Sequence, residues 1–492
     1  MSDATEANAG RRTAVAAGWA AMGTVGNTIL SFIVFLVLAR LLKPAEFGVV
    51  AVATVFVDAL LVLSRGGLPD AIVQRPKLDE LYADTAFWVS AGLGVTCCAL
   101  LMLGSFPIAI IFRMPELQPV LAVLAFTFVI GALGGIHEGR LQRSFGFKRL
   151  AMRTLAANTV AGLGAVVMAF HGFGVWSLVA QRLIASTLTM ALTILAMPWR
   201  PRFRFDKTLA RQQVTLGGKV LGSNLLIIMN NRVHELIAAY FLSASAVGLM
   251  RMAWRCIDLV SQVAVIPLAQ VALPTYARVQ GVPEVLEARF KGLVSASAIL
   301  AMPAFLGMAA VAPILLPVVF GPQWADAAPV LQILCLLAPA FVVNSFVWPL
   351  LVSVNRAGVG VTLSAAQLAV GAAASFVAGP FGLVAISVTH VFRAYAFWPA
   401  ILYLSRRFAS VRSKTVLVAV GLPFVAAMAM AMVIALVVRG LTPHLGHVAL
   451  LLSSISLGAV IYAALILVLA PKLVEPAKEK LLSLVLRRRV AV

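Results

Sequence analysis

The sequence predicts an all-α polytopic membrane protein with about 14 transmembrane helices. Hydrophobic residues make up 62% of the 492 residues, charged residues make up 12%, and the mean hydropathy is +1.00. An average soluble domain is about 45–50% apolar and about 25% charged. The chain therefore has too few polar residues to cover the surface of a soluble protein, which excludes most soluble enzymes.

Fourteen segments are long and apolar enough to span a bilayer, which takes about 20 residues. They lie at 14–39, 47–64, 85–112, 118–139, 154–171, 174–197, 220–242, 247–273, 293–320, 326–354, 358–379, 382–404, 415–438 and 448–470. The first segment follows Arg11 and Arg12 and is about 26 residues long, which is too long for the core of a signal peptide. We interpret it as an uncleaved first span.

The basic residues follow the predicted topology. The formal net charge is +21, from 39 Lys and Arg residues against 18 Asp and Glu residues. With the N-terminus inside, thirty of these basic residues fall in inside segments, four fall outside and five fall within spans. The positive-inside rule expects such a split. The basic excess therefore indicates two cytoplasmic termini, and it argues against a nucleic-acid partner.

The order of the spans divides the chain into six parts. They are a cytoplasmic N-terminal tail (1–13), an N-lobe of spans 1–6 (14–197), a basic cytoplasmic linker (198–219), a C-lobe of spans 7–12 (220–404), spans 13–14 (405–470) and a basic cytoplasmic tail (471–492). No loop is long enough for a soluble catalytic domain. For the last tail the sequence leaves two alternatives, an amphipathic surface helix or a solvated tail.

The cysteines do not predict a cofactor or a crosslink. Cys97, Cys98, Cys256 and Cys335 all lie inside apolar runs, without the spacing of metal ligands. The sequence also has no glycine-rich phosphate loop and no nucleophile triad. We therefore expect no metal, no cofactor and no disulfide.

An internal repeat relates the two halves of the chain. A shift of 200 residues places Gly48 and Asp58 on Gly248 and Asp258, among six identities between 36–58 and 236–258. Six spans separate the copies, so both copies point the same way. A parallel repeat of this kind turns about an axis along the membrane normal, and it predicts a site between the halves.

Polar residues inside spans mark the candidate site, because a charge at bilayer depth costs at least about 2.5–3.5 kcal/mol. In span 8 they recur at i, i+4, i+7 and i+11, which is one helical face. The candidate substrate-binding residues are Arg232, Arg251, Arg255, Arg393, Asn224, Asn231 and Gln262. The candidates for charge tuning or ion coupling are Asp58, Glu235, Asp258, His234 and His390.

These polar residues allow two interpretations. In the first, spans 1, 2, 7 and 8 line a water-filled central cavity in which arginines receive an anionic head group. In the second, the charges form ion pairs that hold the helices together, as Arg255 and Asp258 would one turn apart. The four-residue stripe on span 8 favours the cavity.

Four short motifs connect the sequence to a known family. Residues 39–48, Ala-Arg-Leu-Leu-Lys-Pro-Ala-Glu-Phe-Gly, resemble the turn between the first two spans of bacterial polysaccharide flippases. Ala-Ile-Val-Gln-Arg at 71–75 with Thr-Ala-Phe-Trp at 85–88, Gly-Phe-Gly-Val-Trp-Ser-Leu-Val at 172–179 and Phe-Gly-Pro-Gln-Trp at 320–324 are similar to later motifs. Together these motifs resemble those of the polysaccharide transporter family of the multidrug/oligosaccharidyl-lipid/polysaccharide superfamily. The resemblance covers about residues 15–410.

The resemblance implies an architecture and a cargo. It implies two six-helix lobes around a central cavity, usually with two extra C-terminal helices, and transport by alternating access. The implied cargo is a polyprenyl-pyrophosphate-linked oligosaccharide for exopolysaccharide, capsule or O-antigen, moved across the bacterial inner membrane. Membrane lipids, and a polysaccharide polymerase with its export machinery, are the other partners it suggests.

Three other functions stay open at this point. A related multidrug antiporter needs a carboxylate-rich lumen for cationic drugs, whereas this chain has more arginines than carboxylates in its spans. A peptidoglycan-precursor flippase shares the implied fold and a cationic cavity. A membrane glycan polymerase or ligase normally needs a large outer loop, which the sequence lacks. We therefore expect a transporter and not an enzyme.

Overall fold

The computed structural model describes the backbone of residues 3–75, 78–144, 146–441 and 446–469. Within these ranges, the side chains of 3–18, 20–21, 216–221 and 223–224 are not described. The predicted tail 471–492 lies outside the described residues. The first ten helices are α1 Asp3–Leu41, α2 Pro44–Arg65, α3 Leu68–Gln74, α4 Glu80–Ile111, α5 Leu117–Leu124, α6 Phe126–Arg143, α7 Phe147–Phe170, α8 Val175–Ala196, α9 Lys207–Phe241 and α10 Ala244–Ala264.

Ten further helices and two 3₁₀ turns follow. They are α11 Ile266–Gln270, α12 Ala272–Ala277, α13 Pro283–Phe320, a 3₁₀ turn Pro322–Ala327, α14 Ala328–Cys335, α15 Ala338–Ser353, α16 Ala357–Ala378, a 3₁₀ turn Gly379–Phe381, α17 Leu383–Ala396, α18 Trp398–Ala409, α19 Ser413–Leu441 and α20 His447–Leu469. The part of the chain that the structure describes contains no strand.

The predicted helical membrane protein is confirmed. Ten helices are long and apolar enough to cross a membrane, and two bent pairs raise the number to twelve, by length and composition over the described residues. The predicted runs 220–242 and 382–404 are also helical but fall outside this set. The first run carries Arg232 and Glu235 together with several uncharged polar residues, and the second is divided between α17 and α18.

Prolines explain most of the breaks inside the predicted spans. Span 8 bends by 54° between α10 and α11, and span 10 bends by 56° between α14 and α15. Pro267, Pro339 and Pro399 each lie in the first turn of the helix that follows a break. Proline has no N–H to donate, so it is tolerated at the start of a helix but ends the preceding one.

The helices form two compact units, Met1–Gly248 and Leu249–Val492, which divide within α10. In the first unit α7 packs against α1 and α8, and α6 packs against α4 and α8. In the second unit α13 packs against α14, α15, α19 and α20. The carboxylate of Glu287 on α13 accepts hydrogen bonds from the backbone N–H and Nε of Arg412 and from the Thr415 hydroxyl, which fixes the start of α19.

The basic linker is held on the first unit. The Trp88 indole donates to the carbonyl of Arg202 at 2.9 Å, and the Arg202 N–H donates to Asp84 at 3.0 Å. Glu80 accepts from the Trp199 indole at 2.8 Å and from both terminal nitrogens of Arg140. From Lys207 onward the predicted linker is already α9, capped by Asp206. The segment before α9 is therefore an ordered strap across the end of α4.

The first family-like motif forms the turn between α1 and α2. Pro44 begins α2, and the Lys43 N–H donates to the Glu46 carboxylate at 2.7 Å. Glu46 also packs against Gly174, at the start of α8, where a Cβ atom would lie 2.5 Å from Glu46 Oε1. Gly174 has φ 53° and ψ −125°, a conformation that is essentially restricted to glycine. The motifs at 39–48 and 172–179 thus contact each other.

Two glycines allow a close approach between the first turns of α2 and α10, both within the first unit. A Cβ atom on Gly48 would lie 1.7 Å from the carbonyl oxygen of Ala244. A Cβ atom on Gly248 would lie 1.9 Å from the carbonyl oxygen of Pro44. The two contacts are reciprocal at a spacing of 200 residues, so any larger residue at either glycine would push these turns apart.

Replacing Gly174 tests the contact between the two motifs. We expect Gly174→Ala to lower the free energy of unfolding by about 1–3 kcal/mol, because it adds both backbone strain and a clash with Glu46. Gly172→Ala is the matched control, since Gly172 also has a positive φ of 79° but faces open space. Denaturant titration of the purified variants gives the comparison, and equal losses would show that the Glu46 contact adds nothing.

Candidate functional site

Asp58, the candidate aspartate on span 2, lies between two arginines of the first unit. The Arg182 guanidinium donates to Asp58 Oδ1 at 2.5 Å, and a terminal nitrogen of Arg232 lies 3.9 Å from Asp58 Oδ2. All three side chains are partly buried, with exposed fractions of 18–31%. Spans 2, 6 and 7 are therefore joined by one carboxylate.

The ion pairs continue along α9. Arg232 also donates from NH1 to both oxygens of Glu235, at 3.0 and 3.1 Å, and Glu235 is buried. Signs alternate through Arg182, Asp58, Arg232 and Glu235, so the formal charges of the four residues cancel. A buried carboxylate or guanidinium is tolerated only with a partner, and here each charge has one. We call these four residues the charge network.

The other predicted residues of span 7 have different surroundings. His234 is buried, and Asn231 is exposed. The side chain of Asn224 lies outside the described residues. On span 1, Asn27 accepts a hydrogen bond from the Asn158 amide on α7 at 2.5 Å, which links spans 1 and 5.

The four predicted residues of span 8 lie on one continuous helix, α10. Arg251, Arg255, Asp258 and Gln262 are all half-buried. Intervening residues such as Met252, Cys256 and Ile257 are fully buried. The apolar side of α10 therefore packs inside the second unit, and the polar side keeps partial access to the surroundings. This separation is what a helix facing a wet lumen requires.

His390 and Arg393, the candidates on span 12, meet inside the second unit. Arg393 NH2 lies 3.2 Å from His390 Nε2, and the His390 ring lies edge-on to Trp254 with 5.0 Å between ring centroids. Both side chains are buried. A Cβ atom on Gly371 would lie 2.6 Å from Arg393 Cδ, so the bare backbone of α16 makes room for this arginine.

An apolar groove runs along the two extra helices of the second unit. Its volume is about 640 Å³. Its walls come mainly from α13, α19 and α20, with Val260 from α10, and they include Leu300, Met308, Ile434 and Ala459. Such a groove offers no charge to a head group but is well suited to an alkyl or prenyl chain.

Four residues described above were not among the predicted site residues, namely Asn27, Asn158, Arg182 and Trp254. Arg182 could have been identified from the sequence, since an arginine inside a span needs a partner of opposite charge. The carboxylate that pairs with Arg182 is determined by how α2 and α8 pack. The sequence of each span, taken alone, does not specify this packing. Asn158 and Trp254 carry no comparable signal.

Comparisons with known proteins agree with the fold. A family model described as Polysaccharide biosynthesis protein matches residues 37–329. The lipopolysaccharide biosynthesis protein WzxC of Escherichia coli (strain K12) is 27% identical over 339 residues, which cover 66% of this chain and 67% of WzxC. The succinoglycan biosynthesis transport protein ExoT of Rhizobium meliloti (strain 1021) is 25% identical over 460 residues, or 92% of each chain.

Solved structures share the architecture at low sequence identity. The lipid II flippase MurJ in an inward closed conformation superposes with a TM-score of 0.75 at 13% identity, covering 92% of this chain and 99% of its own. An inward-facing multidrug resistance MATE family transporter of the MOP superfamily gives a TM-score of 0.62 at 15% identity, covering 78% of this chain and 95% of its own. The fold is thus that of a known class of membrane transporters.

Breaking the charge network should destabilise the protein in a non-additive way. We expect Asp58→Asn to cost about 1–3 kcal/mol, because it leaves Arg182 without its carboxylate in a partly buried site. Arg182→Gln in the same chain should recover part of this loss. A double-mutant cycle by denaturant titration measures the coupling. The exposed Arg211→Gln serves as the control partner, and additive effects for Asp58 and Arg182 would show that the pair contributes no stability.

Proposed function

The chain belongs to the polysaccharide biosynthesis protein family, and we propose that it is a flippase for polyprenyl-pyrophosphate-linked oligosaccharides in the bacterial inner membrane. The cargo class comprises the repeat units of exopolysaccharide, capsule or O-antigen. Transport proceeds by alternating access, and the protein is a transporter, not an enzyme. The family and the similarity to ExoT, a succinoglycan biosynthesis transport protein, support this proposal.

The observation that carries the proposal is the cationic polar face of α10. Arg251 and Arg255 lie one turn apart and half-buried on that face. A guanidinium stays charged at any physiological pH and binds phosphate oxygens in pairs. Asp258, one turn further on, moderates the positive charge so that the pyrophosphate is bound but also released.

The parallel repeat belongs to the same proposal. Gly48 approaches the carbonyl of Ala244, and Gly248 approaches the carbonyl of Pro44, which is the reciprocal contact that a 200-residue repeat produces. Counting α9 and the pair α17–α18 as spans, in addition to the twelve candidates, restores the fourteen spans expected from the sequence. The N-lobe would then hold spans 1–6, and the C-lobe spans 7–12, around a central cavity.

The apolar groove suits the lipid part of the cargo. A prenyl chain gains nothing from entering a wet, charged lumen, so the head group and the chain must travel in different environments. We assign the prenyl chain of the cargo to the groove on α13, α19 and α20. The two extra helices would thereby have a function in substrate binding.

A peptidoglycan-precursor flippase is the second candidate, because the fold of the solved MurJ structure covers nearly the whole chain. The two candidates share the pyrophosphate-lipid chemistry and differ in the sugars. Complementation separates them: restored polysaccharide export in a flippase-deficient strain supports the first, and rescue of peptidoglycan synthesis supports the second.

Reporter fusions test the topology. The positive-inside distribution of Lys and Arg predicts a cytoplasmic location for reporters placed at Gly10 and after Val492. Paired reporters, one active only in the periplasm and one only in the cytoplasm, check each site. A periplasmic signal from either fusion would contradict the even number of spans.

Filling the groove tests the assignment of the lipid chain. Ala459 lines the groove on α20, so Ala459→Trp should reduce polysaccharide export at least tenfold while leaving expression unchanged. Val460→Trp is the matched control, because Val460 is the next residue on the helix and lies outside the groove. Equal export by the two variants would contradict a lipid-chain site there.

Replacing the arginines of α10 tests the head-group site. We expect Arg255→Ala to reduce export at least tenfold and Arg255→Lys to restore it in part, because a point charge replaces a planar two-pronged donor. Membrane levels of each variant are measured alongside export. Normal export by both Arg251→Ala and Arg255→Ala would favour the alternative that these charges only join helices.

A further inference from the structure

A polar pocket lies in the first unit, among helices α2, α6, α7 and α8. Its volume is about 220 Å³, which corresponds to about seven water molecules. That space accommodates a phosphate or a single sugar ring. We call it the inner pocket.

Three arginines and one carboxylate line the inner pocket, namely Arg65, Arg153, Arg182 and Glu138. Two of the positive charges are already balanced, since Arg153 pairs with Glu138 at 3.0 Å and Arg182 pairs with Asp58. Arg65, the last residue of α2, is exposed and has no ion pair among the described residues. The pocket therefore has an excess of one positive charge.

Arg153 is fixed in the wall of this pocket. Its two terminal nitrogens donate to Glu138 and to the Thr193 hydroxyl. The side chain is only 8% exposed, and its positive charge is matched by Glu138.

Two hydroxyl groups complete the set of donors. Ser186 and Thr189 line the pocket from α8, and within the described chain neither side chain makes a hydrogen bond. Two hydroxyls and the positively charged guanidinium of Arg65 together match an oxyanion, whose oxygens only accept hydrogen bonds.

We infer that the inner pocket binds an anionic group of the cargo's head group, either a sugar carboxylate or a phosphate, before or during transport. This inference rests on the proposed function. The residues that line the pocket come from the ends of their spans that the charge distribution places on the cytoplasmic side, which is where the cargo is made available. The pocket lies wholly in the first unit, whereas Arg251 and Arg255 lie in the second. It would select cargo by the charge of its sugars as well as by its pyrophosphate.

Binding of small anions to the full-length protein in nanodiscs tests the inference. The probes are glucuronate, inorganic phosphate and uncharged glucose at equal ionic strength, read out by the shift in thermal unfolding. We expect saturable stabilisation by glucuronate or by phosphate and none by glucose. A response to glucuronate alone assigns a sugar carboxylate, and a response to phosphate alone assigns the pyrophosphate. No response to either anion would overturn the inference.

Two variants locate the binding. Gly131 lines the pocket, and a Cβ atom there meets only Leu61 at 3.6 Å, so Gly131→Leu should fill the pocket without disturbing the helix. Arg65→Gln removes the unpaired charge. Each should weaken anion binding about tenfold or more. Gly104→Leu is the matched control, because a Cβ atom on Gly104 also meets a single side-chain atom at 3.6 Å, outside the pocket. Unchanged binding by both pocket variants would overturn the inference.

Different experiments would contradict the assignment of the inner pocket and the proposed function. Arg255→Ala should retain the anion binding that the pocket variants lose, since Arg255 lies outside the first unit. If the pocket variants bind anions like the parent protein while Arg255→Ala still loses export, the pocket assignment is wrong and the flippase stands. If the pocket binds anions but the parent protein moves no glycolipid, the flippase proposal is wrong and the anion site stands.

Discussion

The rest of the structure depends on one constraint: a charge that enters an apolar environment must be paired. Asp58 meets this constraint by pairing with Arg182 and by approaching Arg232, which in turn pairs with Glu235. The pairing joins α2 to α8 and α9, and Asp58 lies 124 residues before Arg182 in the sequence. Because each charge has a partner of opposite sign, the first unit carries polar groups in its interior without a large net cost.

The residues of the short family-like motifs make contacts at the ends of helices. Glu46 caps the start of α2 and packs against Gly174, so one motif requires the glycine of another. Trp88, in the motif at 85–88, holds the strap before α9 through the carbonyl of Arg202. These contacts fix the connections between spans.

The sequence predicted the class of fold because hydropathy depends on each segment alone. It also predicted that the four polar residues of α10 share a face, since helical periodicity settles that. It did not predict that Asp58 pairs with Arg182, because the two residues are 124 positions apart in the sequence. It also did not predict the inner pocket, which forms only where α2, α6, α7 and α8 pack together. The helix breaks at Pro267 and Pro339 could have been predicted from the sequence, because a proline signals the start of a new helix.

The most direct test of this account is transport by the purified protein in liposomes. A polyprenyl-pyrophosphate-linked oligosaccharide and a neutral glycolipid with the same sugars are incorporated in parallel, and their movement between leaflets is followed by access of an external sugar-modifying reagent. The account predicts protein-dependent movement of the pyrophosphate-linked lipid and at least tenfold slower movement of the neutral one, because the arginines recognise the anion. Equal rates for the two lipids, or no protein-dependent movement of the anionic one, would contradict it.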